Sequence, residues 1–482
     1  MSAVEEGVRL DGGGGSEDCD SSSDEENAFW WQRGLIQAPR CVVKWDHVDE
    51  DRESKGIAEK GRKVTWSELF LDLILVTNIG KLGEAYQAGD LSLLEAVVLY
   101  RIIYACWWST TQYAGRFFCD NLVDKYACTG LLMFLLCCAG LRIGGGYEFV
   151  ATAQTVARAA AAYHAVMSVL YFRVVASLPS TRAHMVRHGV VPGVLEAVGN
   201  LVAARVSDPV WMLGALLFVG LFIPAFHGVG YNCFRIPKRD RVPVHVDHLI
   251  ERRGCLRLIL FGEVVTGCTI TPARLGVTAI LPVALAFLIV LNMKLLAFDV
   301  DVVPIKRHCY RVGGFFRPWI YLEAAFFFDV AMAVAGSCVR IVLTLMLVTQ
   351  PHTWKRADDA HTLLCLCVAT AIACLTLERL THNLSHILGT DHWWTYWGTF
   401  RKQPYLSIRD PDPSARRIFH VQLLTHVAII LLCVTLAAYC NTIDSPYELT
   451  LVVAGLAAMT SIAVLVNLAD EVAVVESRRD LP

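Results

Sequence analysis

Charged residues are scarce in this chain: Asp, Glu, Lys and Arg make up 18% of its 482 residues, below the roughly 25% of soluble globular proteins. Together with 55% apolar residues, that shortage excludes an ordinary water-soluble fold. A net charge of -2 and basic residues spread in small clusters exclude a nucleic-acid binder. The seventeen cysteines include no CxxC pair. Cys106, Cys137, Cys138, Cys255, Cys365, Cys367, Cys374 and Cys433 lie inside apolar runs, so they read as small hydrophobes and not as a disulfide framework. Walker loop, GxSxG elbow and HExxH are all absent, which leaves any enzyme an unfamiliar site. No secretory signal precedes the first apolar run, and the first helix is expected to target the chain by itself.

What is present in abundance is long apolar segments. Residues 1 to 60 carry a four-glycine run and the acidic serine cluster SEDCDSSSDEE, and such a stretch buries too little to offset its ordering entropy, so a disordered tail is expected. After it, a ruler of about 20 apolar residues marks twelve segments, centred near Val76, Ile103, Phe134, His164, Leu195, Phe218, Leu260, Ala286, Val330, Ala369, Ala428 and Ala457. The fifth is short and holds Pro192 and Glu196, so it fits either a crossing or an interfacial helix. Basic residues alternate with the connections. Lys60, Arg62 and Lys63 precede the first helix, and Arg116, Lys125, Arg182, Arg187, Arg235, Lys238, Arg239, Arg241, Lys306, Arg307, Arg401, Lys402, Arg416 and Arg417 fall on the same side. The opposite loops hold Arg142, Arg205, Arg274, Lys355 and Arg356. The excess marks the cytoplasmic side and predicts an all-α integral membrane bundle of about twelve transmembrane helices with both termini in the cytoplasm. Its domain would run over residues 61–472, with two halves at 61–235 and 245–472, a Trp-rich cytoplasmic loop at 380–417 and a short tail at 473–482.

Several charges sit where burial is expensive. The first helix, WSELFLDLILVTNIGKLGEAY, carries Asp72 inside its apolar run and Glu68 one turn earlier on the same face. An Asp near a helix centre costs about 2.5 to 3.5 kcal/mol to insert, against about 0.3 to 0.6 kcal/mol returned by each Leu, Ile, Phe or Val. The nine such residues between Leu69 and Leu82 roughly cancel Asp72 and leave little for Lys81 and Glu84, so these charges should face partners or water inside the bundle. The seventh helix repeats the pattern with Glu251 at its entrance and Glu263 deeper, between Gly262 and Gly267, small residues that permit close helix approach. Arg101, Arg158, Lys294 and Arg340 offer countercharges. Asp72, Glu263, Glu68 and Glu251 are therefore candidates for an ion pathway, or members of structural ion pairs. Trp107, Trp108, Tyr113, Arg116 and Phe117 read as an interfacial anchor, or as a group in which Arg116 pairs with Glu68 or Asp72. Glu378, His382 and His386 recur every four residues, a spacing that can bind zinc or leave solvated histidines. His245 and His248 cap the seventh helix or gate access to Glu251.

Three segments taken together, WSELFLDLILV, WWSTTQYAGRF and HLIERRGCLRLILFGEVVTG, resemble the low temperature requirement A family of membrane proteins. The positions that match are Glu68, Leu69, Phe70, Asp72, Leu73, Trp107, Trp108, Tyr113, Arg116, Phe117, His248, Glu251, Arg252, Gly254, Gly262 and Glu263. Gly115 stands where the family pattern has asparagine, and Asp120 followed by Asn121 replaces its acidic pair, which removes any role needing two carboxylates there. The resemblance spans residues 62 to 345 and fades beyond. It implies a multi-pass membrane protein; the family name records a growth phenotype and not an activity.

Three functions compete. In the first, a secondary transporter or channel, Asp72 and Glu263 exchange a proton or small cation, Glu68 and Glu251 form an inner gate, and Arg116, Tyr113, Arg252, His248 and Arg101 act as gate or charge partners. The second is a membrane enzyme or lipid-handling protein built on the histidines and the Trp-rich loop. The third is a helix-bundle scaffold locked by buried ion pairs. The expected partners are membrane lipids and protons or small cations, with a homo-oligomer left open; no cofactor is expected.

Overall fold

The computed structural model describes residues 40–41, 64–118, 128–222, 242, 244–269, 280–299, 308–312, 316–347, 359–388, 413–440 and 446–479. Each of the twelve segments lies on an α-helix, the sixth with its centre, Phe218, in the π turn Phe218–Phe222 that directly follows. In chain order these are α1 (Trp66–Ala88), α2 (Leu93–Ala114), α3 (Thr129–Ala139), α4 (Phe149–Ser177), α5 (Val191–Ala203), α6 (Pro209–Leu217), α7 (Val246–Thr269), α8 (Ile280–Lys294), α9 (Phe316–Leu347), α10 (Ala360–Leu388), α11 (Pro413–Cys440) and α12 (Pro446–Arg479). The strands are a two-residue antiparallel bridge, β1 (Arg40–Cys41) with β2 (Phe117–Phe118). The rest of the expected disordered tail lies outside the described residues, as do residues 389–412 of the Trp-rich loop, Asp120 and Asn121. Backbone helix continues through Arg479, past the start of the expected C-terminal tail.

Local sequence explains where the first two helices begin. Thr65 and Glu68 form a capping box at the start of α1: the Thr65 hydroxyl accepts from the Glu68 N–H and the Glu68 carboxylate accepts from the Thr65 N–H. Ser92 and Glu95 repeat the motif at α2, beginning three residues after Gly89 closes α1 in a left-handed turn that favours glycine.

Among the described residues, six helical stretches are long and apolar enough to cross a membrane: Phe149–Ser177, Ile280–Phe298, Arg317–Thr344, Ala360–His382, His420–Cys440 and Thr450–Asn467. The helices α1 and α7 match them in length but carry too many charges, Glu68, Asp72, Lys81 and Glu84 on one and Glu251, Arg252, Arg253, Arg257 and Glu263 on the other. In α5, the π turn Val186–Val190 runs directly into the helix, and Pro192 sits in the first turn of the α-helical part. Val191, Val194, Leu195, Val198, Leu201 and Val202 cover the outer face of α5, while Glu196 turns inward to His164 of α4.

Two apolar cores meet at α7 and α9. The first gathers α1 to α6 and takes Leu256 and Leu260 from α7 and Phe326 from α9; the second gathers α7 to α12 and takes Phe261 and Val264 from α7. The helices α7 and α9 touch through glycine: a Cβ on Gly267 would lie 2.6 Å from the Gly336 carbonyl oxygen. Gly262 does not share this duty, since nothing stands within 4 Å of a Cβ placed there. Of the two small residues flanking Glu263, only Gly267 permits the close approach expected of both.

Candidate functional site

Along the interface between α1 and α7, two pairs of groups with the same four-residue spacing face each other. Glu68 Oε1 accepts from His248 Nε2 at 2.9 Å, and one turn deeper Asp72 Oδ2 accepts from Arg252 Nη1 at 2.8 Å. Farther along, a Cβ on Gly80 would lie 3.1 Å from Glu263 Oε1. Residue numbers rise together on both helices, so α1 and α7 run parallel. Asp72 and Arg252 are both fully buried. The other Asp72 oxygen accepts from the Trp107 indole N–H at 2.6 Å, and the Arg252 guanidinium lies 5.6 Å from the Trp107 ring centroid, within cation–π range. Trp107 belongs to the core of the site and is not the interfacial anchor expected of it.

The outer pair is built from backbone as well as side chains. The second Glu68 oxygen accepts from the Thr65 N–H and hydroxyl, each at 2.8 Å, so the residue that caps α1 also receives His248. Because a carboxylate can only accept, the His248 proton shared with it sits on Nε2. The backbone around His248 is fixed in turn: its backbone N–H donates to His245 Nδ1 at 3.1 Å, and the His245 backbone N–H donates to the Gly115 carbonyl at 2.9 Å. Glu251 is exposed and accepts from the Val64 N–H at 3.3 Å.

Glu263 is half-buried at the far end of the seam, lining a cleft with Gly80, Glu84, Ser337 and Arg340. The remaining expected partners lie elsewhere. Arg252 is the guanidinium on Asp72, and Arg116 instead donates from Nη1 to the Gln112 carbonyl at 3.0 Å and to the Gln112 side chain. Tyr113 packs against Phe117 and Tyr171. Arg101 bonds Glu323 of α9 at 2.7 Å and the Gly220 carbonyl at 2.9 Å, with its guanidinium over Phe326.

A second charged knot joins α7, α9 and α10. Glu378 accepts from Arg253 at 3.0 Å and from Arg257, which also lies 3.9 Å from Asp329. Two guanidiniums thus occupy the carboxylate that the sequence offered as one possible zinc ligand beside His382 and His386. His382 faces His308 and Cys309 instead, and the His386 side chain lies outside the described residues. Arg253, Arg257, Asp329 and Glu323 were not singled out from the sequence; their signal was their type, since each is a charge inside an apolar segment. The His164 and Glu196 pair, 2.8 Å apart with Cys106 Sγ 3.7 Å from the other His164 nitrogen, carried the same signal.

The three motif segments that share a resemblance thus converge on one buried seam. The model of the family described as bacterial low temperature requirement A protein matches residues 63–458. The chain belongs to the low temperature requirement A family. The low temperature requirement A match begins just before the Thr65 cap and runs far past residue 345, so α10, α11 and the start of α12 belong to the family pattern as well. As members of such a family with six long apolar helices, these residues form an integral, multi-pass membrane protein. No curated protein and no solved structure matches the chain.

Proposed function

We propose that this protein carries protons or small cations across a membrane along the seam between α1 and α7. The observation that supports the reading is the pair of polar stations at either end of that seam. Glu68, Asp72, His248 and Arg252 form one, and Glu263, Glu84 and Arg340 border the other. Between them lie Leu75, Ile79, Leu256 and Leu260, all buried. The eight residue steps from Asp72 to Gly80 span about 12 Å of helix, and these four apolar side chains are the barrier that transport has to open. Carboxylates and imidazoles in such a place exchange protons or hold a dehydrated cation, which apolar packing cannot do.

The same proposal includes twelve crossings with both termini in the cytoplasm. Five crossings between α1 and α7 return the chain to its starting side, and two helices so related run parallel, as these do.

A second reading has a specific observation in its favour. Both oxygens of Asp72 are engaged, by Trp107 and by Arg252, as a purely structural ion pair would have them. Flux in proteoliposomes under an imposed pH or potassium gradient separates the two. Transport by wild type that is lost in well-folded Glu263→Gln and Asp72→Asn supports the pathway. A folded wild type silent for protons, sodium and potassium leaves the scaffold.

A further inference from the structure

Away from the α1/α7 seam, the single-turn helix Cys309–Val312 ahead of α9 presses His308 and Cys309 against His382 of α10. All three are buried, and one ligating atom from each lies within 4.8 Å of the other two. Backbone donors set the tautomers. The Cys309 N–H donates to His382 Nδ1 at 3.1 Å and the Tyr310 N–H to His308 Nδ1 at 3.4 Å. An N–H can only donate, so both Nδ1 atoms present lone pairs and both ring protons sit on Nε2. Cys309 Sγ lies 3.8 Å from His308 Nδ1, and the two imidazole centroids are 4.5 Å apart. Two ring nitrogens and a sulfur therefore gather at a helix packing interface, with each Nδ1 lone pair held by a backbone N–H that an ion would have to displace.

We propose that His308, Cys309 and His382 bind one thiophilic d10 cation, zinc(II) or copper(I), through the two Nδ1 atoms and the Cys309 sulfur. Imidazole and thiolate together are the donor set such ions prefer over the oxygen ligands of magnesium or calcium. With metal bonds of about 2.0 Å to nitrogen and about 2.3 Å to sulfur, the donors need to draw in by roughly 1 Å. Binding replaces the S–H bond by a metal–sulfur bond and releases that proton to solvent, while the two backbone N–H contacts give way to metal–nitrogen bonds. Tyr310 and Tyr321 stack around His308, and Tyr321 also meets His382, which gives the ion an aromatic wall. Glu378, one turn before His382, is committed to Arg253 and Arg257 and completes no part of the shell. The ion would clip the segment ahead of α9 to α10, and it does so whether or not the α1/α7 seam conducts.

The test uses the full-length protein in detergent, titrated with zinc(II), with copper(I) under argon, and with cobalt(II) as an optical reporter. One equivalent should bind, and the cobalt form should show a thiolate-to-metal absorption band. Cys309→Ser should lose that band and weaken binding by more than about 100-fold, the upper end of what removing an outer-shell partner costs. His426→Gln, a buried histidine elsewhere in the C-terminal half, should bind as wild type does. X-ray absorption on zinc-loaded wild type needs no variant to fold, and one sulfur with nitrogens in the first shell is expected. Tighter binding of zinc or of copper identifies the ion. No uptake of any of the three metals, equal uptake by Cys309→Ser, or a shell of oxygen alone overturns the proposal and leaves a box of imidazole and phenol rings.

Discussion

Asp72 and Arg252, 180 residues apart in the chain, meet at 2.8 Å with neither side chain exposed. Each resolves the other's burial, and the relationship ties the first motif segment to the third. Removing one partner strands a charge in an apolar interior, whereas removing both does not.

Asp72→Asn alone and Arg252→Gln alone should each lower stability by about 3 to 5 kcal/mol, the range for breaking a buried pair. The double variant should recover a large part of the loss. Thermal unfolding of the four proteins in one detergent measures the coupling, and additive losses would show that the pair is not a unit.

Trp107→Phe keeps the aromatic packing and deletes the N–H that Asp72 accepts at 2.6 Å. A loss of about 1 kcal/mol is expected, because hydrogen bonds between membrane helices are weak on average and this one goes to a charged group. If Trp107 were an interfacial anchor, Phe would leave the melting temperature unchanged.

Glu378→Gln removes the carboxylate shared by Arg253 and Arg257 and leaves Asp329 as the nearby acid. Two buried guanidiniums then lack their main countercharge. The expected result is a drop in the yield of monodisperse protein larger than that from Glu251→Gln, whose carboxylate is exposed. Size-exclusion profiles of the two variants at matched expression decide it.

Gly267→Ala and Gly262→Ala differ by one methyl position each on the same helix. The first forces a Cβ to within 2.6 Å of the Gly336 carbonyl and should destabilise the α7/α9 contact by about 1 to 3 kcal/mol, as overpacking does. The second meets open space and should be neutral or slightly stabilising, since alanine favours helix over glycine. Equal melting temperatures would contradict the close approach.

Helix positions and the inventory of buried charge were legible in the sequence, because each depends on local properties: the length of an apolar run, and the expense of a charge within it. The Thr65 and Glu68 cap was equally local, as T-x-x-E before an apolar run. Asp72, Glu68, His248 and Arg252 were legible as a set through the family motifs. Their pairing was not. Helical periodicity tells which residues share a face, so Glu68 and Asp72 could be grouped, but it carries no information about which other helix that face will meet. Arg116 and Arg252 were equally good partners on charge alone. The parallel packing of α1 on α7, in a register that sets residue 68 against 248 and 72 against 252, chose between them. The same limit applied to the histidines: the four-residue rhythm of Glu378, His382 and His386 is real, yet packing gave the carboxylate to two arginines and turned His382 towards His308 and Cys309. The chain by itself determined where its helices lie and how much charge they must hide, and only the tertiary structure decided which charges hide one another, because that choice rests on contacts between segments remote in sequence.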